Sequence, residues 1–254
     1  MQQILSYMRR AITEYEMITP GDRIAVGVSG GKDSVALLAG LVRLREFLGI
    51  PFSLVAITLD PQFGGTSADY SQLQHLCEEK NIPYVIKRSD LWEIIFEIRK
   101  EKNPCSLCAR MRRGALHDLA LEQGCNKIAL GHNYDDVVET VLMNLFREGR
   151  WGCFSPVSYL SRKNLHMIRP LIYASEKEIS RAVRREELPI VKSCCPVDGE
   201  TQRQKTKEFL KQMERENRGV TKCVFGALQR SGVDGWERTH IGRTMNGEKQ
   251  EDDI

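Results

Sequence analysis

A short polar hexapeptide near the start of the chain contains the residue types needed to hold an anion. It follows an apolar, strand-like run at 23–28 and precedes a helix-like run, and it consists of Ser29, Gly30, Gly31, Lys32, Asp33 and Ser34. Adjacent glycines let the backbone turn sharply and direct its N–H groups at one point. The positive end of the following helix dipole lies at the same place. The hexapeptide therefore predicts a nucleotide phosphate site, in which Lys32 neutralises charge and the serine hydroxyls donate hydrogen bonds.

The hexapeptide differs from two common phosphate-binding motifs. A Walker loop has serine or threonine directly after its lysine, whereas Asp33 follows Lys32 here. A dinucleotide fingerprint requires a glycine spacing that Gly27, Gly30 and Gly31 do not supply. A plain glycine-rich connection between a strand and a helix is the structural alternative.

Two cysteines three residues apart are placed to share a metal. Cys105 and Cys108 follow Asn103 and Pro104, a pair typical of a helix start. A helix brings both thiols to one face near its positive end, which lowers a thiol pKa. The spacing predicts a metal site at the start of this helix.

The number of further thiols indicates which metal the Cys-x-x-Cys pair would bind. A closed zinc site needs two ligands beyond a Cys-x-x-Cys pair, and the dense thiol source downstream is Cys194 and Cys195. Adjacent side chains in extended backbone diverge, so one of these two is expected to ligate. Three thiolates suit an iron–sulfur cluster with one open iron better than a closed zinc site. A redox or persulfide pair, and a purely structural role, stay open.

Two further candidate positions follow predicted strands, where ligands lie in parallel sheets. At 131–136 a glycine permits close approach to a ligand, and Asp135 and Asp136 are candidates to hold magnesium or accept a proton. The alternative is that these aspartates only favour a helix N-terminus. At 57–60 the backbone around Thr58 is a candidate for binding an adenine edge. The alternative is an ordinary strand end without a ligand, since every parallel strand has such an end.

Strand-like and helix-like runs alternate up to Arg150, which is typical of an α/β fold with a parallel sheet wrapped by helices. Strands are predicted at 24–28, 53–59, 84–87 and 127–130, and helices at 33–48, 67–79 and 105–122. Beyond Arg150 we expect a loop over 151–166, a short run at 167–169, and helices over 175–187 and 200–216.

These elements predict four parts. An N-terminal helix spans 1–20, a nucleotide-binding domain with the Cys-x-x-Cys motif spans 21–172, a small, mostly helical extension with the third cysteine spans 173–240, and a flexible polar tail spans 241–254.

Composition excludes several classes of protein. With 254 residues, 41% of them apolar, the chain can bury a core without disulfides. We expect a cytoplasmic protein without a membrane anchor, because the N-terminus is a poor signal peptide and no apolar run approaches about 18 residues. The net charge of +3 neither demands nor excludes a nucleic-acid partner. Of the other cysteines, Cys77 and Cys125 are expected in the core, while Cys153, near Trp151, is placed to reach the site.

The hexapeptide resembles the signature of the PP-loop ATP pyrophosphatase family, which has an adenine nucleotide alpha hydrolase-like fold. The resemblance implies ATP as a cofactor and adenylation of a carbonyl oxygen with release of pyrophosphate. PP-loop enzymes that modify tRNA carry a Gly-His-Asn-x-Asp-Asp element similar to residues 131–136. On that match Gly131 and Asp136 become ATP-site residues, with Asp136 the catalytic group.

From about residue 22 to 204 the chain resembles the TtcA/TtuA group of tRNA thiolation enzymes. The likeness includes the run after Cys105, Cys-x-x-Cys-Ala-Arg-Met-Arg-Arg-Gly, and Ile-Arg-Pro-Leu at 168–171. It implies a 4Fe–4S cluster on three cysteines, with Cys195, before Pro196, favoured over Cys194. No cysteine precedes Cys77, as in the zinc-free branch that makes 2-thiocytidine in the anticodon loop.

The resemblance implies that Mg²⁺ and ATP activate the C2 oxygen of a pyrimidine in tRNA, which sulfur then replaces. The implied ATP-binding residues are Ser29, Gly30, Gly31, Lys32, Asp33, Ser34, Thr58, Gly131 and Asp136. The implied catalytic residues are Asp136, Lys32 and Arg112, where Arg112 stands at the position of a catalytic lysine in the thiouridine branch. An arginine is a poor proton shuttle but stabilises phosphate charge.

The resemblance implies tRNA and a sulfur donor as partners, the donor being desulfurase-derived sulfur or inorganic sulfide, and a homodimer is left open. Arginines on several helices offer a cationic surface, and Trp151 and Phe154 are candidates for stacking on a base. Two other functions remain: a PP-loop sulfurtransferase that uses a cysteine persulfide without a cluster, and an ATP-binding module with a structural metal and no turnover.

Overall fold

The computed structural model of the protein describes residues 1–91, 93–98, 104–192, 195 and 202–237. Six strands in this part of the chain form one sheet. They are β1 (Arg23–Gly27), β2 (Ser53–Asp60), β3 (Tyr84–Arg88), β4 (Lys127–Ala129), β5 (Val157–Leu160) and β6 (Leu165–Ile168). The order across the sheet is β3-β2-β1-β4-β6-β5. Neighbouring strands are parallel except for β5, which is antiparallel to β6.

Helices cover both faces of the sheet. They are α1 (Gln2–Glu14), α2 (Lys32–Phe47), α3 (Ser71–Glu79), α4 (Pro104–Glu122), α5 (Tyr134–Glu148), α6 (Glu176–Arg185), α7 (Gln202–Glu216) and α8 (Val220–Ser231). A π-helical segment, Glu93–Ile98, lies before α4. The parallel α/β fold predicted from the sequence is confirmed.

The central strands alternate their side chains between two apolar layers. Ile24 and Val26 of β1 join the larger layer, beneath α1, α2, α5 and α6. Ala25 points to the opposite face and joins a smaller layer that includes Leu119 and Ala120 of α4. Burial on both faces explains why β1 is apolar at every inner position. It also places α4 alone, among the described helices, against the smaller layer.

Local sequence signals fix both ends of α5 and the start of α6. Asn133 caps α5 in a capping box with Asp136, and Gly149 ends the helix in a left-handed conformation. Ser175 and Glu178 form a second capping box at α6. The start of α5 is therefore held rigidly at the carboxyl end of β4.

Three details differ from the sequence predictions. The loop expected over 151–166 is wrong, because β5 and β6 form a hairpin that extends the sheet. The helix expected over 67–79 begins at Ser71. Helix α8 was not predicted. The expected start of α7 at 200–201 and the tail at 241–254 lie outside the described residues.

The described helices of the extension pack on the same core as the N-terminal helix. Trp236 is fully buried, and its indole nitrogen donates a hydrogen bond to Phe154 O (3.0 Å). Its ring packs edge-on against Tyr15 and Phe225. The domain boundaries stay a prediction. No described helix combines the length and apolar character needed to cross a membrane.

Candidate functional site

The 29–34 loop, between β1 and α2, is closed by its two serines. Ser34 Oγ donates a hydrogen bond to Gly31 O (2.8 Å) and accepts one from Ser29 N (3.1 Å). The first turn of α2 has no side-chain cap at Gly31. Its backbone N–H groups are therefore available to an anion, which the helix dipole also favours.

A distant part of the chain crosses this loop at Val191. Val191 N donates a hydrogen bond to Gly30 O (3.0 Å). Gly30 has a φ of +86°, and a Cβ placed there would lie 2.6 Å from Val191 Cβ, so only glycine fits. Cys195 follows four residues later, which keeps its Cα within roughly 14 Å of Val191 Cα. The crossing thus brings a candidate thiol into the neighbourhood of the loop.

Lys32 is held by two carboxylates. Its ammonium lies 3.0 Å from Asp33 Oδ2 and 3.0 Å from Glu176 Oε1, and Glu176 also pairs with Lys207 of α7. Burial alone would lower the pKa of Lys32, but the adjacent carboxylates outweigh it and raise that pKa. Lys32 is therefore a fixed positive charge beside the N-terminus of α2.

Asn133 joins the 29–34 loop to the 131–136 turn. Its Oδ1 accepts a hydrogen bond from Asp136 N (3.1 Å), and its Nδ2 donates one to Asp33 Oδ1 (3.1 Å). Gly131 packs against the same helix start, since a Cβ there would lie 3.1 Å from Asp33 C and Ser34 N. Two motifs a hundred residues apart in sequence are thus locked into one surface.

Asp136 has a partner on each carboxylate oxygen. Oδ2 accepts a hydrogen bond from Asn133 N (2.9 Å), and Oδ1 pairs with Arg203 Nη1 of α7 (2.8 Å). Burial raises the pKa of Asp136 in spite of these partners. One turn further along α5, burial raises the pKa of Glu139 to about 7. The start of α5 is a tightly packed carboxylate cluster, and the guanidinium of Arg203 faces it.

Helix α4 forms the opposite wall of a cavity of about 410 Å³ at the carboxyl ends of β1, β2 and β4. Arg112 and Arg113 of α4 face Ser29, Asp33 and Gly131 across this space. The volume lies within the range of roughly 300–1,000 Å³ common for small-molecule sites. The cavity is large enough for a nucleotide.

Arg112 also lines a second cavity of about 260 Å³. The lining of this space includes Gly31 of the 29–34 loop and Val191 and Lys192 of the crossing segment. Arg112 therefore stands between the loop, the first cavity and the segment that leads to Cys195.

His132 faces the larger cavity as a neutral imidazole. Burial first, and then the charge of Arg169, lower its pKa to about 3. Its Nδ1 has no hydrogen-bond partner in the described part of the chain. Phe154, a predicted base-stacking residue, packs on the His132 ring (4.8 Å between centroids). Trp151 donates a hydrogen bond to Ser231 Oγ (3.2 Å).

The side chain of Thr58 is fully buried near the carboxyl end of β2. Its hydroxyl is buried and donates a hydrogen bond to Val28 O (2.6 Å). The adjacent Ile57 and Leu59 line the larger cavity instead. Any contact of this strand end with a ligand therefore goes through the backbone or through these two apolar side chains.

The cysteines divide by burial. Cys77, Cys125 and Cys153 are buried, and burial raises the pKa of each thiol, to about 11 for Cys77 and about 12 for Cys153. Cys153 lies in the core, where its thiol contacts Val137 O (3.6 Å) and is not among the residues that line either cavity.

The candidate metal ligands are only partly described. Cys108 and Cys195 are partly exposed, whereas the side chain of Cys105 and all of Cys194 lie outside the described residues. Within the part of the chain that is described, no three His, Cys, Asp or Glu side chains form a metal-binding group. The predicted ligand set stays a prediction.

Comparison with known families shows to which family the chain belongs. The model of the PP-loop domain matches residues 4–211. The chain belongs to the PP-loop family. Among curated PP-loop relatives, the tRNA-cytidine(32) 2-sulfurtransferase of Citrifermentans bemidjiense is 42% identical over 229 residues, 89% of each chain. That of Geobacter sulfurreducens is 38% identical over 230 residues, again 89% of each chain.

A solved structure shows the same fold. The U34-tRNA thiolase NcsA from Methanococcus maripaludis, determined with its [4Fe-4S] cluster, matches with a TM-score of 0.70 and 24% identity. The match covers 94% of this chain and 84% of that one. The resemblance to the PP-loop family and its tRNA-thiolating group, drawn from the sequence, is confirmed.

Three residues of this PP-loop site were not predicted from the sequence. Glu176, Val191 and Arg203 reach the 29–34 loop or the 131–136 turn from beyond β6. None belongs to a short motif, because each acts through a tertiary contact. Only the capping box at Ser175, next to Glu176, offered a local signal, and it indicates a helix start and not a site.

Proposed function

We propose that this protein is an ATP-dependent tRNA sulfurtransferase that makes 2-thiocytidine at position 32. The C2 oxygen of the cytidine attacks the α-phosphorus of ATP and pyrophosphate leaves. Sulfur then attacks C2, and AMP departs with the original oxygen. The identity of 42% with a relative named tRNA-cytidine(32) 2-sulfurtransferase supports the choice of substrate.

One structural observation carries the proposal. The 29–34 loop and α4 face each other across a single cavity, and α4 begins at the Cys-x-x-Cys pair. The 29–34 loop and the helix that carries the proposed cluster ligands thus line one cavity, which supports a coupled activation and sulfur insertion.

The chain supplies positive charge around the phosphates and an uncharged surface for the adenine. Lys32 and the uncapped N–H groups of α2 meet the phosphates, and the dipole of α2 favours their charge. Arg112 stabilises the phosphate that leaves with the oxygen, because its guanidinium stays protonated. Main-chain atoms near Thr58, with Ile57 and Leu59, hold the adenine.

Asp136 acts at the phosphates, with Mg²⁺ or a proton as its partner. Its pKa is raised by burial, which makes the carboxyl a better base than an exposed aspartate. Arg203 fixes its orientation through the contact at Oδ1. Hard carboxylate oxygens such as those of Asp136 and Asp33 suit Mg²⁺.

Cys105, Cys108 and Cys195, with Cys194 as the alternative third ligand, would hold a 4Fe–4S cluster. Partial exposure of Cys108 and Cys195 fits this role, because ligation requires thiolates and the buried thiols are held protonated. When bound, a cluster with one uncovered iron supplies a position at which sulfide is held for transfer. We favour inorganic sulfide or desulfurase-derived sulfur as the donor.

Anaerobic reconstitution tests the proposal. The protein is loaded with iron and sulfide and then given Mg²⁺, ATP and an unmodified tRNA transcript. We expect pyrophosphate release that depends on RNA, and 2-thiocytidine in the nucleoside digest. Cys108→Ser and Cys195→Ser should lose iron and thiolation but retain ATP binding, whereas the exposed Cys223 serves as the matched control in Cys223→Ser.

The same experiment separates the alternatives. Thiolation by protein that contains no iron would indicate a persulfide on Cys105 or Cys108. ATP binding without pyrophosphate release would indicate a binding module with a structural metal. Comparison of Cys194→Ser with Cys195→Ser identifies the third ligand, since only one of them should lose iron.

A further inference from the structure

A broad groove lies between α5, α6 and α7. It is separate from the cavity of about 410 Å³ at the carboxyl ends of β1, β2 and β4, which we call the catalytic cavity. Its volume is about 720 Å³, and six of the side chains that line it are cationic. They are Lys177, Arg181, Arg184, Arg185, Lys207 and Lys211. We refer to it as the α6–α7 groove.

The cations form one stripe on each helix. Lys177, Arg181 and Arg185 recur every four residues on α6, and Lys207 and Lys211 do so on α7. Residues four apart share a helix face and rise by about 6 Å per step. Two stripes of positive charge therefore run along the walls of the groove.

Each carboxylate that lines the groove already has an ion-pair or hydrogen-bond partner within the protein. Glu176 pairs with Lys32 and Lys207, and Asp135 accepts a hydrogen bond from Glu176 N (2.7 Å). Glu214 accepts hydrogen bonds from Gly219 N and from Thr221. Glu139 is buried and faces Arg203. The six cations that line the groove outnumber its four carboxylates, and two of these carboxylates, Glu139 and Glu176, are already engaged by cations of the protein.

Five of the six cations form no ion pair with a described residue: Lys177, Arg181, Arg184, Arg185 and Lys211. All five are exposed. A solvated helix face explains isolated charges, and the helix dipole favours Arg184 and Arg185 in the last turn of α6. The dipole disfavours Lys177, which lies in the first turn, and it does not act on Lys211 in mid-helix. The groove thus concentrates more positive charge than local helix stability requires.

The groove adjoins the 29–34 loop through one shared ion pair. Glu176 lines the groove and is the carboxylate that holds Lys32. Asp135 lines it as well and precedes Asp136 in the 131–136 turn. A polyanion in the groove would lie directly beside the 29–34 loop.

We propose that the α6–α7 groove binds the phosphate backbone of the tRNA substrate and presents a nucleotide to the catalytic cavity. The proposal rests on the proposed function. Backbone binding of this kind is independent of sequence and depends steeply on salt, because each phosphate that a cation neutralises releases condensed counterions. Cytidine specificity then belongs to the cavity and not to the groove.

Salt-dependent binding of an unmodified tRNA transcript tests the groove. The triple variant Arg181→Gln/Arg184→Gln/Lys211→Gln is compared with Arg9→Gln/Lys80→Gln/Arg162→Gln, which removes three exposed cations that do not line the groove. We expect the groove variant to lose affinity by at least about tenfold, and the slope of log K against log salt to fall by about 2, from roughly 0.7–0.9 per phosphate. The control should lose much less.

Measurements of folding, ATP binding and thiolation make the result decisive. ATP binding and the thermal unfolding midpoint should match between the two triple variants, which excludes a folding defect. Equal tRNA affinity and slope in both variants would overturn the groove proposal while leaving the proposed function intact. If the unsubstituted protein binds tRNA with the groove-dependent slope but forms no 2-thiocytidine, the groove stands and the proposed function fails.

Discussion

The charged ammonium group of Lys32 is already held in position in the protein without a ligand. Two carboxylates hold it, and they raise its pKa above the ordinary lysine value. It therefore stays protonated throughout the neutral range, and we expect the phosphate binding proposed for Lys32 not to change with pH there. An incoming phosphate competes with Glu176, which has Lys207 as a second partner and so keeps a counter-charge when Lys32 turns to the ligand.

Gly30 is the residue at which the loop and the crossing segment meet, and Gly30→Ala tests that contact. The left-handed φ costs an alanine about 1 kcal/mol, and the 2.6 Å approach to Val191 Cβ adds an overpacking cost of about 1–3 kcal/mol. We expect chemical denaturation to show both. Gly49→Ala is the matched control, since Gly49 also has a positive φ but nothing within 4 Å.

A second substitution isolates the clash from the strain. The close atom is Val191 Cβ, which alanine retains, so Val191→Ala should not rescue Gly30→Ala. Val191→Gly removes that atom, and in its background the cost of Gly30→Ala should fall to that of Gly49→Ala. Equal costs of Gly30→Ala in all three backgrounds would show that the segment does not pack on the loop.

At the scale of elements, the contact between α5 and α7 controls the carboxylates of the site. Glu139 lies on the buried face of α5, with its Oε2 3.8 Å from Arg203 Nε. Burial outweighs this partner and raises the pKa of Glu139 to about 7, well above its usual 4.5. The folded state therefore binds a proton that the unfolded state releases at lower pH.

Glu139→Gln should remove one component of the pH dependence of stability. A carboxyl with a raised folded-state pKa contributes stability that is present below about pH 4.5 and is lost as pH rises to about 7. Relative to Glu139→Gln, the unsubstituted protein should lose about 2–3 kcal/mol of unfolding free energy between pH 5 and pH 8, at 1.36 kcal/mol per unit. Urea unfolding at several pH values measures this difference, and parallel profiles would refute the raised pKa.

The sequence predicted the elements whose burial leaves a pattern. Strands β1 and β2 are apolar on both faces, and α5 has a capping box and a terminal glycine. Each of these elements can therefore be recognised from its local sequence. Strand β5 contains no buried residue, because it is an edge strand. Its four residues show no buried alternation, so the segment was predicted as a loop, and its pairing with β6 depends on tertiary context.

The candidate site follows the same rule. The 29–34 loop and the 131–136 turn were predicted because each is a contiguous motif after a strand, and parallel strand ends meet at one edge. Glu176, Val191 and Arg203 were not, because only the packing of the later helices brings them to the loop. The strand turns the Thr58 hydroxyl inward to Val28 O, and the backbone contact expected there with a ligand stays a prediction.

At the scale of the whole molecule, the helices after β6 complete the site. They share a core with α1 and α2, with Trp236 at its centre. This packing lets α6 hold Lys32, lets α7 hold Asp136, and leaves a cationic groove between the two helices. In our proposal the cavity at the carboxyl ends of the strands carries the activation chemistry, and the groove between α6 and α7 carries substrate docking.

Position-resolved mass spectrometry of tRNA from cells that lack this protein tests the central claim most directly. We expect 2-thiocytidine to be missing at position 32, the position named in the relatives. The unsubstituted protein should restore it, and Lys32→Ala should not, because the charge that meets the phosphates is gone. An unchanged 2-thiocytidine content in the deletion strain, or full restoration by Lys32→Ala, would contradict the account.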